Sequence, residues 1–171
     1  MRRPLFFVTA IAVSTVALFA FTSTKPATPK KFARTEKSRV DRGRYIIATA
    51  ACNDCHTPGY IEKDGDVPES EWLKGNQLGF KGPWGTSYPL NLRLLISNFT
   101  EREWITFAKT TKGLPPMPWF NLHAMSDSDL GAVYAYVRTL QPLGEPAPSP
   151  LPPGEEPQGP YIDFSVHVPG Q

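Results

Sequence analysis

Both cysteines of this 171-residue chain lie in one five-residue stretch, Cys52-Asn53-Asp54-Cys55-His56. The spacing of two thiols followed at once by an imidazole is typical of a site that holds a bound group. If both thiols are committed to such a group, no disulfide is left to link distant parts of the chain. The bound group must then supply part of the core.

The C-x-x-C-H spacing suits three kinds of site. It is the attachment signature of c-type haem, in which each thiol adds to a vinyl group and the histidine binds the iron. A structural zinc site usually needs four Cys or His ligands, whereas His123 and His167 lie far from the motif. A redox dithiol is expected within a βαβ pattern, which the sequence does not show. We therefore predict one covalent haem c, attached to Cys52 and Cys55, with His56 as an axial ligand.

The first two dozen residues differ in character from the rest of the chain. Arg2 and Arg3 precede an apolar run over 4–21 that only three hydroxyl-bearing residues interrupt, as in a secretory signal. The run is also about as long as a membrane-spanning helix. Residues 1–24 are therefore either a signal peptide or a membrane anchor. Both interpretations predict a periplasmic or otherwise extracytoplasmic protein, the compartment in which c-type haem is attached.

Charge and composition divide the remaining chain. The net charge of +2 gives no global field suited to nucleic acid. Residues 25–38 are expected to form a basic linker, 39–143 a single domain, and 144–171 an extended proline-rich tail. The basic stretch from Lys25 to Arg44 is either a solvated linker or a docking patch for anionic lipid or an acidic redox partner.

Local patterns predict three helices in the domain. An amphipathic pattern over 39–51 leads into the haem motif, and Gly43 within it suits either a close contact with another helix or a frayed end. A capping box at 100–103 opens the second helix. The third follows Ser126 and ends before Pro142, with apolar residues at a three-four spacing.

The stretch over 57–98 is rich in glycine and proline. So long an irregular segment suits a compact domain when it wraps a bound group. Trp84 and Tyr88 within it, together with Trp119, are candidates for packing against the haem. Ordinary core packing is the alternative for each of these aromatic side chains.

The second axial ligand decides whether a haem protein carries electrons or activates small molecules. Met117 has a proline on each side, which restricts the local backbone and suits a fixed thioether ligand. Met125 directly precedes the third predicted helix, where a packing contact is the more natural interpretation. Met117 is the predicted ligand, and the alternatives are Met125, His123, His167 or an open site.

The order of these features resembles class I cytochrome c. Members of that family have an N-terminal helix that runs into the haem motif, a long wrap, a methionine loop, and a C-terminal helix with an aromatic pair. The matching residues here are Gly43, the haem motif, Met117, and Tyr134 with Tyr136. The resemblance covers 39–143 and implies an all-α cytochrome c fold wrapped around one covalently attached haem.

The same resemblance implies roles for individual residues. His56 and Met117 become the axial pair, and Pro83 becomes the residue whose carbonyl accepts a hydrogen bond from the proximal histidine. Within the family, the chain is similar to small cytochromes and cytochrome subunits of bacterial membrane-bound dehydrogenases. Those subunits commonly have three haem motifs, whereas this chain has one.

Methionine opposite histidine raises the reduction potential of a haem, so the resemblance implies an electron carrier and not an enzyme. The expected donor is a dehydrogenase or a quinol-level donor, and the expected acceptor is an oxidase or another cytochrome. The N-terminal segment adds an expected association with the membrane. Two alternatives remain, namely a haem enzyme or gas sensor with an open distal site, and a haem subunit of a larger dehydrogenase complex.

Overall fold

The computed structural model describes residues 29–166 and Val168, with side chains from Thr35 onward. The predicted signal or anchor over 1–24 lies outside the described residues, as does His167. Among the helices that are described, none combines the length and the apolar character that a membrane crossing requires.

The described part of the chain contains six α-helices, one short 3-10 turn and three strands. In chain order they are α1 Pro29–Thr49, α2 Cys52–His56, the 3-10 turn Glu69–Glu71, β1 Gly79–Gly82, β2 Gly85–Ser87, α3 Leu92–Ser97, α4 Glu101–Thr110, α5 Trp119–Ala124, α6 Asp127–Thr139 and β3 Tyr161–Asp163.

The three strands show that the all-α prediction is wrong, because they form one mixed sheet in the order β2-β1-β3. β1 and β2 are antiparallel, whereas β3 runs parallel to β1 with Phe80 opposite Ile162. Three of the seven residues in β1 and β2 are glycine, so no run of β-branched or aromatic residues marks these strands. The third strand comes from the far end of the chain, where no local pattern indicates a partner.

The crossing of α1 and α6 organises the core. A methyl group built on Gly43 would lie 2.0 Å from the carbonyl oxygen of Ala132 and 2.7 Å from Cβ of Tyr136. The predicted close contact of the first helix with another helix is therefore confirmed. The largest fully buried apolar side chains are Ile47, Leu73, Ile96, Leu130, Tyr136 and Val137.

Local signals placed the later helices well. The side chain of Thr100 accepts a hydrogen bond from the amide of Glu103, and the Glu103 carboxylate accepts one from the Thr100 amide at 2.8 Å. The hydroxyl oxygen of Ser126 accepts from the amide three residues later, at 3.1 Å. The first helix differs from its prediction, because it begins at Pro29, within the expected linker over 25–38.

The proline-rich tail packs back on the sheet. Leu151 and Thr86 exchange two backbone hydrogen bonds of 2.9 Å. Further on, the ring of Phe164 packs against Phe80 and Trp84, with centroids 5.9 and 6.0 Å apart. The tail thus covers one side of the hairpin formed by β1 and β2.

Candidate haem-binding site

The haem motif occupies the whole of α2. This helix follows Ala51, whose φ of 59° lies in the left-handed region and turns the chain between α1 and α2. Cys52 and Cys55 are free, half-buried thiols. Residues three positions apart on a helix share a face, so both thiols can engage one bound group.

The environment of the thiols distinguishes among the three kinds of site. Burial raises the pKa of both, that of Cys52 to about 11, and the nearby Asp54 carboxylate adds to the rise. Reactive redox dithiols have a lowered pKa instead, so the arrangement does not suit a dithiol exchanger. No cluster of three or more metal-binding side chains occurs among the residues that the structure describes. The donor set therefore fits haem attachment better than a zinc site.

His56 is held in the form that binds a metal. Its Nδ1 atom lies 2.7 Å from the carbonyl oxygen of Leu90. Because a carbonyl only accepts, Nδ1 carries a proton, and Nε2 is the nitrogen that can bind a metal. Burial lowers the pKa of this imidazole, and the hydrogen bond to Leu90 opposes that shift. A neutral imidazole with Nε2 free is the ligand form of histidine.

The acceptor for His56 is the carbonyl of Leu90 and not that of Pro83. Pro83 lies exposed in the turn between β1 and β2, whereas Leu90 comes three residues after the end of β2. The contact uses only backbone atoms of Leu90, so the type of side chain at this position does not signal it. Sequence reasoning missed the acceptor for this reason.

Besides the contact of its ring with Leu90, the backbone of His56 is also held by a hydrogen bond. The carbonyl oxygen of His56 accepts a hydrogen bond of 2.8 Å from Gly75, and the amide of Asn76 donates to Pro89 at 3.1 Å. A methyl group on Gly75 would lie 2.7 Å from the amide nitrogen of Asn91. The chain near Gly75 thus lies between the histidine backbone and the segment that accepts from its ring.

Met117 and Met125 occupy different surroundings. Met125 packs against the main hydrophobic core, and among the described residues Met117 is not part of that cluster or its packing shell. Met117 is half-buried, and a methyl group on Gly113 would lie 3.3 Å from its Cγ. The Nε2 atom of His123 lies 2.8 Å from the carbonyl oxygen of Thr111, so Nδ1 is the nitrogen of His123 that could serve as a ligand. Unlike Met125, Met117 has no role in the described core.

One short segment contacts both candidate ligand regions. The hydroxyl of Ser87 donates to the carbonyl oxygen of Pro115 at 2.6 Å, two residues before Met117. Leu90, three residues after Ser87, accepts from His56. Three residues of extended chain span at most about 11 Å. The segment over 87–90 therefore contacts both the loop that carries Met117 and the ring of His56.

The aromatic candidates for haem packing separate into two groups. Trp84 lies in the hairpin turn, with its ring over Gly82 and against Phe164, so the contacts that it makes are structural. The ring of Trp119 likewise packs against Phe120 and His123, with centroids 5.8 and 5.0 Å apart. Tyr88 forms the other group, because it is half-buried and lies two residues before Leu90, whose carbonyl accepts from His56.

Two buried polar atoms among the described residues have no hydrogen-bond partner, Nδ2 of Asn53 and Oγ1 of Thr86. Asn53 belongs to the haem motif, and Thr86 precedes Ser87. Such an atom costs about 1–3 kcal/mol when it stays unpaired. Neither position stood out in the sequence.

Comparison with known proteins gives one informative match. No family model matches the chain, and no solved structure matches it. The chain is 30% identical over 162 residues to the fructose dehydrogenase cytochrome subunit of Gluconobacter japonicus. The match covers 85% of this chain and 30% of that protein, so the chain spans less than a third of its relative's length. This similarity supports the interpretation of the chain as cytochrome-like.

Proposed function

We propose that the chain is an electron-transfer protein with one covalently attached haem c. The observation that carries the proposal is the placement of His56, which is buried, has its Nδ1 on the Leu90 carbonyl and follows directly after two free thiols. The similarity to a cytochrome subunit supports the same conclusion. When bound, the haem supplies a one-electron iron couple.

Cys52 and Cys55 provide the attachment. Each would hold the haem through one C–S bond, which would form by addition of its S–H across a vinyl double bond without consuming an oxidant. Burial raises the pKa of both thiols. Attachment on adjacent turns of α2 fixes the position of His56 relative to the bound group.

Met117 provides the second axial ligand in this proposal. The hydrogen bond from Ser87 to Pro115 fixes its loop on the same segment that orients His56. Its thioether would close a bound iron to exogenous molecules and would raise the reduction potential. The chain then carries electrons and does not activate a substrate.

The match supports redox proteins as partners, at the level of protein class. Its relative is the cytochrome subunit of a dehydrogenase, so we propose a dehydrogenase or a quinol-level donor, and an oxidase or another cytochrome as acceptor. The apolar run over 4–21 supports an extracytoplasmic location, with or without a retained anchor.

The second candidate is a haem subunit that works inside a larger dehydrogenase complex. The specific observation in its favour is that the matched relative is itself a subunit. Isolation of the tagged chain from native membranes distinguishes the two candidates. Copurification of a dehydrogenase at fixed stoichiometry supports the subunit, and recovery of the chain alone supports the free carrier.

The spectrum of the purified holoprotein tests the proposed ligation. We expect a low-spin spectrum in both oxidation states, and a methionine–iron charge-transfer band in the oxidised protein. A high-spin oxidised spectrum, together with ready binding of carbon monoxide to the reduced protein, would contradict the carrier and indicate a haem enzyme or gas sensor.

A further inference from the structure

We infer that Asn91 is a positioning residue for the proximal ligand, because it fastens the peptide that accepts from His56 to the start of the proline-rich tail. The inference rests on the proposed function and extends it to the tail. The carbonyl of Leu90 and the amide nitrogen of Asn91 belong to the same planar peptide group. Whatever fixes Asn91 therefore fixes the direction of the carbonyl that the histidine ring contacts.

Both polar atoms of the Asn91 side chain form hydrogen bonds. It is 3% exposed. Its Oδ1 accepts a hydrogen bond of 3.1 Å from the amide of Leu94, which caps α3. Its Nδ2 donates to the carbonyl oxygens of Leu143 at 2.8 Å and Glu145 at 3.2 Å. One buried amide thus ties the start of α3 to the tail.

The tail turns at Gly144, next to the side-chain amide of Asn91. Gly144, between the two accepting residues, has φ of +85°, a conformation that favours glycine. A methyl group on Gly144 would lie 3.3 Å from Nδ2 of Asn91. The turn of the tail therefore closes around the asparagine side chain, and the close approach depends on a glycine.

Arg93 fastens the same two segments at a second point. Its guanidinium is buried, and Nε donates to the carbonyl oxygen of Gln141 at 2.6 Å. The same side chain donates to Leu140 and, at 2.8 Å, to Ser70. The first residues after α6 are thus held against the start of α3, next to the peptide that accepts from His56.

This arrangement has a consequence for the redox chemistry. A strong hydrogen bond from Nδ1 makes a ligating imidazole more basic, which favours the oxidised iron and lowers the reduction potential. Loosening Asn91 lets the Leu90 carbonyl rotate away from His56 and weakens that bond. The reduction potential should then rise, although no atom that contacts the bound group has changed.

Two variants disturb the contact between the Asn91 side chain and the turn at Gly144, one from each partner. Asn91→Ser keeps an oxygen that caps α3, but its side chain ends one atom short of the amide nitrogen. Gly144→Ala leaves Asn91 intact and places a methyl group against Nδ2. Each has a matched control. Gly154→Ala controls for Gly144→Ala, because Gly154 has φ of +92° and no atom of the described residues within 4 Å of an added methyl group. Asn98→Ala controls for Asn91→Ser, because Asn98 hydrogen-bonds Leu94 at the other end of α3.

The experiment is a spectroelectrochemical titration of the purified holoproteins, with a denaturing-gel haem stain of each. We expect Asn91→Ser and Gly144→Ala both to raise the potential while haem attachment and the methionine–iron band persist. Gly154→Ala and Asn98→Ala should leave the potential at the parent value. A merely structural role would lower the denaturation midpoint without moving the potential.

Results that contradict the role of Asn91 can be told apart from results that contradict the proposed haem function. Parent-like potentials in Asn91→Ser or in Gly144→Ala would overturn the inference and leave the proposed function intact. Equal shifts in the two control variants would also overturn it, since the effect would then come from general loosening. A parent protein without covalent haem would overturn the proposed function, and the inference with it.

Discussion

His56 donates from Nδ1 to the carbonyl oxygen of Leu90 across 2.7 Å, and this contact leaves Nε2 available. His56→Ala should therefore remove the proximal ligand, whereas Leu90→Ala should leave the ligand in place because only the backbone of Leu90 takes part. The Leu90 side chain is 45% exposed, so its truncation costs little stability. Absorption spectra of the two purified variants, His56→Ala and Leu90→Ala, test these expectations. Loss of the low-spin spectrum in Leu90→Ala, or its persistence in His56→Ala, would contradict the assignment.

The two thiols should contribute independently to attachment. Cys52→Ala and Cys55→Ala should each leave a single thioether bond and lower the yield of holoprotein, because each sulfur forms its own bond. The double variant should retain no haem on a denaturing gel. Full haem staining of the double variant would refute covalent c-type attachment.

The two methionines should behave differently on substitution. Met117→Ala should lower the reduction potential, abolish the methionine–iron band and let carbon monoxide bind to the reduced protein. Met125→Ala should keep the band and lose stability, because Met125 packs against the core. The reverse pattern would transfer the ligand assignment to Met125 and leave the carrier function standing.

The helix crossing should be intolerant of any side chain at Gly43. Gly43→Ala places a methyl group 2.0 Å from the carbonyl oxygen of Ala132, so backbone must move. We expect a loss of about 3 kcal/mol in the free energy of unfolding, the upper end of the usual range for overpacked cores. Gly159→Ala, which meets nothing within 4 Å, is the control in chemical denaturation. Equal midpoints for the two variants would be inconsistent with the crossing.

The helix features that were predicted correctly from the sequence rest on local signals. The capping box at Thr100 and the N-cap at Ser126 act within one helical turn, so they are visible in a short window. From the sequence, Gly43 has two interpretations, a close helix contact or a frayed helix end, and the structure shows the close contact. These features are confirmed.

What the sequence did not predict depends on distant contacts or on backbone atoms. The sheet joins two glycine-rich strands to Tyr161–Asp163 from the tail, and no local period marks that pairing. The acceptor for His56 is a main-chain carbonyl, which any residue type provides. Asn91 and Arg93 act on carbonyls that lie about fifty residues later, so their roles emerge only from the folded chain.

The intact mass of the protein after denaturation and removal of free haem tests the central claim most directly. The chain should be expressed with its own N-terminal segment in a host that attaches c-type haem. We predict a polypeptide mass increased by one haem, and loss of that increase when Cys52 and Cys55 are both replaced by alanine. A parent mass equal to that of the polypeptide alone would contradict the account.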